Sequence, residues 1–181
     1  MPTNPVPFGV FGYATAALTY GLHLLTGFPK AETPEDARRI RASLIANGFA
    51  FGGIAQFTAA ILLFVLYNDI VTATTLAIFG VLWTAIWLND YFNLDPRALL
   101  FLDIAIAIYT LFGGTWTIML GHPVLTALFW SITALVIALA VLHGKGRGGK
   151  AVGVLALENA LLAYYVCFAL VYSELGISLP L

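Results

Sequence analysis

The sequence predicts an all-α integral membrane protein with six transmembrane helices, and three observations carry that expectation. Of 181 residues, 61% are hydrophobic and 9% charged, with a mean hydropathy of +0.94, whereas soluble domains carry roughly 25% charged residues. Six apolar stretches, each close to the roughly 20 residues that a bilayer core demands, alternate with short polar breaks. All eight Lys and Arg fall in three of those breaks. The spans are expected near 8–28, 46–66, 70–89, 99–120, 123–142 and 150–173, forming one membrane domain over 1–181. Stretches such as "ITALVIALAVL" are apolar all round, unlike the one-sided helices of a soluble bundle, and the short alternating segments of a β-barrel are absent.

The first span opens with "NPVPFGVFGY", Asn4 to Tyr13. Proline is accepted at a helix start, where its missing N–H has no partner to lose, and Asn4 is placed to accept from the free N–H groups of the first turn. Gly9 and Gly12 allow another backbone or a solute to approach closely. The helix N-terminus itself is a weak anion site, with capping alone as the plainer reading. No Lys or Arg precedes this span, and it is too long for a cleaved signal peptide.

The segment 29–45 is expected to be a cytoplasmic loop carrying a short surface helix. Thr33 is its N-cap, Pro34 its first residue, and Glu35 and Asp36 lie in its first turn, with arginines following. In span two Gln56 is a buried polar group, and in span three Phe79, Trp83 and Trp87 recur one turn apart as an aromatic stripe. Asp103, early in span four, is expected to pair with Arg97 at the interface. Gly113 and Gly114, between Tyr109 and Trp116, permit close helix approach. "HGKGRGGK" is a flexible basic turn without the spacing of a phosphate-binding loop. In span six Glu158 and Asn159 start a polar stripe expected to face inward, and Cys167 is the single cysteine.

Lys30, Arg38, Arg39 and Arg41 follow span one, Arg97 follows span three, and Lys145, Arg147 and Lys150 follow span five. In a six-span chain these three loops share a face, which the positive-inside rule makes cytoplasmic. Both termini then lie outside a cell (inner) membrane. His23, His122 and His143 are scattered over different spans and loops, so no metal site, cofactor or hydrolytic centre is expected, and the chain is not expected to be an enzyme. No nucleic-acid-binding feature and no nucleotide-binding unit is visible. Without a three-plus-three internal repeat, a channel is favoured over an alternating-access carrier.

"NPVPFGVFGY" resembles the NPAPLGL signature that begins the first helix of the acetate uptake transporter family, also called succinate-acetate permeases. "LTYGLHLLTGF", "FAFGGIAQF", "IFGVLWTAIWL" and "SELGISLPL" extend the likeness across both ends and the middle of the chain. The sequence is similar as well to the hexameric urea and amide channel family, through "FNLDPRALLF" and Glu158. Two features depart from bacterial acetate-family members: the long charged loop after span one and the inferred outside termini.

The resemblance implies six helices surrounding a pore in each protomer, a homo-hexamer in membrane lipid, and a small solute as partner. It implies a constriction at Tyr13, Phe79 and Ile132, where an apolar waist rejects hydrated ions yet admits a solute with one methyl end. Tyr13 adds a hydroxyl to the family's Phe. Asn4, Gln56, Trp83, Glu158 and Asn159 are the further pore-lining or solute-contacting candidates. The expected function is passage of acetate or similar monocarboxylates, either alone or linked to a proton. The alternatives are urea or short-chain amides with proton-sensitive gating, or a membrane scaffold that transports nothing.

Overall fold

The computed structural model describes residues 4–181. Its six long helices, each apolar enough to cross a membrane, are α1 (Val6–Thr26), α2 (Pro34–Tyr67), α3 (Ile70–Phe92), α4 (Leu99–Met119), α5 (Pro123–Lys145) and α6 (Gly149–Glu174). A 3-10 turn, Pro96–Ala98, leads into α4.

Local chemistry sets the ends. Asn4 Oδ1 accepts from the Val6 N–H at 3.0 Å, so the expected cap forms over the opening prolines. Thr33 caps α2 by accepting from the Asp36 N–H at 3.1 Å, with Pro34 first in the helix. Asp69 does the same for α3, accepting from the Thr72 N–H at 3.0 Å. Gly27 and Gly146 end α1 and α5 in the left-handed conformation.

The segment after span one differs from the expected short helix. Pro34–Asn47 runs without a break into the membrane-length part of α2, so that the helix spans 34 residues. At about 1.5 Å per residue this is about 50 Å, well beyond a hydrocarbon core of about 30 Å. The polar first half therefore projects past the apolar belt, where Glu35 and Arg39 pair at 2.8 Å on the exposed surface. Two stretches of α2, Gly48–Ala55 and Leu63–Tyr67, are π-helical.

The helices close into a ring in chain order, with α6 returning to lie along α1. The α1–α6 and α4–α5 pairings are extensive, and the seam between α3 and α4 is thin. Two close approaches require glycine. A Cβ on Gly12 would lie 2.3 Å from the Phe51 carbonyl oxygen, and one on Gly48 would lie 1.7 Å from Trp87 Cε2. Backbone against backbone and backbone against indole is how α1 and α3 sink into α2.

The inside and outside of the ring follow the burial pattern. Tyr13, Ala17, Phe79, Trp83, Ile132, Val136, Ala156 and Ala160 form one interior cluster. The outer faces carry Ile61, Phe101, Phe112 and Leu161, all strongly exposed and apolar, as a surface against lipid tails demands.

Candidate functional site

An aromatic column fills the ring between α1 and α3. Tyr13 and Tyr20 lie two turns apart on α1, and Phe79, Trp83 and Trp87 lie one turn apart on α3. The two rows interleave. Ring centroids run Trp87–Tyr20 5.7 Å, Tyr20–Trp83 5.9 Å, Trp83–Tyr13 6.0 Å and Tyr13–Phe79 5.4 Å. Phe129 of α5 continues the column at 6.5 Å from Phe79. These are edge and tilted contacts, the arrangements aromatic quadrupoles favour. All three waist candidates belong to the same interior cluster, with Tyr13 4%, Phe79 5% and Ile132 2% exposed.

A neutral hydrogen-bond network ties the middle of the column to α5 and α6. The Tyr13 hydroxyl donates to Asn159 Oδ1 at 3.0 Å, and Asn159 Nδ2 donates to Ser131 Oγ at 2.8 Å and to the Leu155 carbonyl at 3.0 Å. Thus three helices meet at one amide. Gln56 is fully buried; its Nε2 donates to the Gly52 carbonyl at 2.7 Å, while its Oε1 has no partner among the described residues. The indole N–H groups of Trp83 and Trp87 are buried too, without acceptors among the described residues. Such groups are costly in an apolar interior and mark places where a polar solute or water finds partners.

At the end of the ring that carries the loop after α1, the column opens into a cavity of about 510 Å³. Tyr20 and Trp87 form its inner wall, with His23, Arg41 and Asp90 around it. The Arg41 guanidinium donates to the Asp90 backbone carbonyl and approaches its carboxylate at 3.9 Å. A second, apolar groove of about 500 Å³ runs on the outside between α4 and α5.

The expected site residues divide. Tyr13, Phe79, Ile132, Trp83, Gln56 and Asn159 are all buried. Asn4 lies at the start of α1 as its cap. Glu158 departs from the expectation, because it is exposed in line with Val154, Leu161 and Phe168 on the outward face of α6. Successive residues of a helix point about 100° apart, so the inward position goes to Asn159 and its neighbour is turned outward. Asp103 departs as well. Arg97 pairs with Asp95 at 2.5 Å, and that guanidinium holds the Asp95 carboxyl down at about 2. Asp103 is fully buried and accepts instead from His143 at 2.7 Å.

Sequence reasoning missed Tyr20 and the Asp103–His143 pair. Tyr20 sits seven residues after Tyr13, two helical turns on the same face. Asp103 lies 19 residues before His122 and His143 lies 21 after it, so an antiparallel hairpin brings them to one depth.

Among solved structures, the bacterial acetate channel SatP aligns with a TM-score of 0.81 at 24% identity, over 100% of this chain and 99% of that chain. The chain has the SatP fold. With six membrane-length apolar helices arranged as in SatP, it is a multi-pass membrane protein. No family model and no curated protein matches the sequence. The likeness to SatP extends from end to end of the chain.

Proposed function

We propose that the protein is a membrane channel for acetate or similar small monocarboxylates, with one path through each six-helix ring and the waist at Tyr13, Phe79 and Ile132. The observation that carries the reading is the aromatic column, laid through a fold shared over its whole length with a solved acetate channel. An anion enters at the basic end, drawn by Arg41 in the cavity wall and by Lys30, Arg38 and Arg39 in the same loop and helix. It sheds water against Tyr20 and Trp87, where indole N–H donors replace part of its hydration shell. The apolar waist excludes hydrated inorganic ions and passes a solute whose one end is a methyl group.

By the same reading the whole chain is one domain, the basic loops are cytoplasmic and both termini are outside. The protomers associate as a hexamer. The outward Glu158 supports association, since a carboxylate near the middle of a helix facing hydrocarbon costs about 2.5 kcal/mol or more. A second copy packed over that face would supply it with partners or water.

A second reading, passage of urea or a short amide, draws support from the waist itself. The polar groups there, Tyr13, Asn159, Ser131 and Gln56, are all neutral, which suits an uncharged hydrogen-bonding solute.

The deciding experiment is uptake of radiolabelled acetate and, separately, urea into liposomes holding the purified protein, against empty liposomes. Acetate flux above background supports the first reading, urea flux alone replaces it with the second, and flux of neither refutes both.

A further inference from the structure

We propose that the cavity at the basic end of the ring holds one carboxylate on the Arg41 guanidinium, and that Asp90 beside it turns away acids carrying a second carboxylate. The inference rests on the channel reading and deepens it by naming the class of acid that this mouth admits.

Four segments build the cavity. The end of α1 supplies Tyr20 and His23, the loop after it Pro29, the polar half of α2 Arg41, and the end of α3 Trp87 and Asp90. Among the lining residues Arg41 is the one cation and Asp90 the one anion. Lys30, Arg38 and Arg39 belong to the same loop and helix without lining the wall.

Local structure anchors the guanidinium and leaves it donors to spare. Arg41 donates through Nη2 to the backbone carbonyl of Asp90, in the last turn of α3. Its approach to the Asp90 carboxylate, 3.9 Å, is too long for a hydrogen bond. A guanidinium has five N–H donors, and that carbonyl is the one acceptor it meets among the described residues. Two parallel N–H groups of such a fork match a single carboxylate. The side chains are 51% exposed for Arg41 and 48% for Asp90. An anion arriving in the cavity therefore reaches the first and is felt by the second.

Size does not select at this mouth, because about 510 Å³ is the scale of a pocket for molecules well beyond acetate. Charge does. One carboxylate takes the cation that the Asp90 carboxylate only approaches. A second carboxylate on the same molecule finds no second cation in the wall and meets Asp90 instead. At about 7 Å, with an effective dielectric between that of water and about 20, two such charges disfavour each other about three- to fiftyfold. The exposure of both side chains puts the effect toward the lower end, about fivefold.

The test compares two three-carbon acids that differ in charge, unlabelled propionate and malonate. Each is added at both faces of proteoliposomes as a competitor of radiolabelled acetate uptake, at pH about 7.5, where carboxylates are ionised and histidine is ordinarily neutral. The readout is the half-inhibiting concentration of malonate divided by that of propionate. Asp90→Asn keeps the shape and removes the charge, and this ratio is expected to fall about fivefold, a change of preference that a loss of folded protein cannot produce. About 1 M salt, with a Debye length of about 3 Å, should shrink that difference between variant and wild type toward none. Arg41→Gln should raise both half-inhibiting concentrations about tenfold or more. If the asparagine variant fails to assemble, Asp90→Ser takes its place with the same expectation. A ratio equal to that of wild type in the assembled variant overturns the inference and leaves the channel reading standing, as does an Arg41→Gln protein inhibited at wild-type concentrations. A wild type that passes no acetate overturns the channel reading, and this inference with it.

Discussion

Asn159 lets the architecture of the waist be measured as a coupling energy. Tyr13→Phe keeps the ring against Phe79 and Trp83, at 5.4 and 6.0 Å, and removes only the hydroxyl that donates to Asn159 at 3.0 Å. The Asn159 oxygen is then buried without a donor, at a cost of about 1–3 kcal/mol. Asn159→Leu costs more, about 2–5 kcal/mol, because it strips a partner from both the Tyr13 and Ser131 hydroxyls. In the double variant the Tyr13 hydroxyl is gone, so only Ser131 remains bereft. The double variant should therefore be more stable than the sum of the singles predicts, by about 1 kcal/mol. Interhelical hydrogen bonds in membranes average about 0.6 and reach about 1.7 kcal/mol, which brackets that figure. Reversible unfolding in mixed micelles gives the four stabilities of the cycle. A coupling within about 0.3 kcal/mol of zero would refute the claim that this amide joins α1 to α5 and α6 through Tyr13.

Phe79→Ala and Ile132→Ala should each admit acids larger than acetate, and an unchanged size cutoff in both, with flux intact, would show that the waist lies elsewhere. Gly48→Ala places a methyl 1.7 Å from Trp87 Cε2, an overlap expected to destabilise by about 1–3 kcal/mol or more and to shift tryptophan emission as Trp87 moves; an unaltered spectrum and melting point would contradict the packing. Glu158→Leu should change the oligomer mass measured in detergent, if the outward carboxylate meets a second copy; identical mass and stability would show that it does not. The Asp95 carboxyl is held at about 2, below its ordinary value of 3.8, by hydrogen bonds from the Arg97 side chain and backbone. That stabilisation is present above about pH 4 and lost as pH falls through about 2. Asp95→Asn should thus lower the melting point slightly at neutral pH and converge on wild type in strong acid, and a constant difference would refute the assignment.

The six helices were legible because the membrane imposes one length and one polarity on them, and stretches such as "ITALVIALAVL" satisfy both. The caps at Asn4 and Thr33 were legible for a different reason: side-chain oxygens two or three residues ahead of an unpaired N–H act locally. The continuity of α2 was not. Nothing between Asn47 and Gly52 stops a helix once Trp87 packs against Gly48, and that contact joins residues 39 apart in sequence. Glu158 faces outward, against the expectation, because an apolar helix with a polar pair gives no period to orient it, and packing alone turns Asn159 inward. Proximity in sequence alone points Asp103 to Arg97. Arg97 found a nearer acid in Asp95, within its own turn.

The α4–α5 hairpin shows what kind of signal does locate buried polar groups. Thr117 meets Thr126 at 3.0 Å, Thr110 meets Thr133 at 2.8 Å, and Asp103 meets His143 at 2.7 Å. On α4 these partners fall seven residues apart, two turns each, so they occupy one face. On α5 each lies nearly as far after the turn at His122 as its partner lies before it. Two antiparallel helices in a bilayer must match depth residue for residue, and a polar side chain with no water nearby must be answered at its own depth. Two threonines can answer each other with hydroxyls, each of which both donates and accepts. A carboxylate cannot, because it only accepts, so the third rung needs a donor, which the His143 ring N–H supplies. The first two rungs are therefore fixed structure. The third obeys the same rule, with a carboxylate and a ring N–H in place of two hydroxyls.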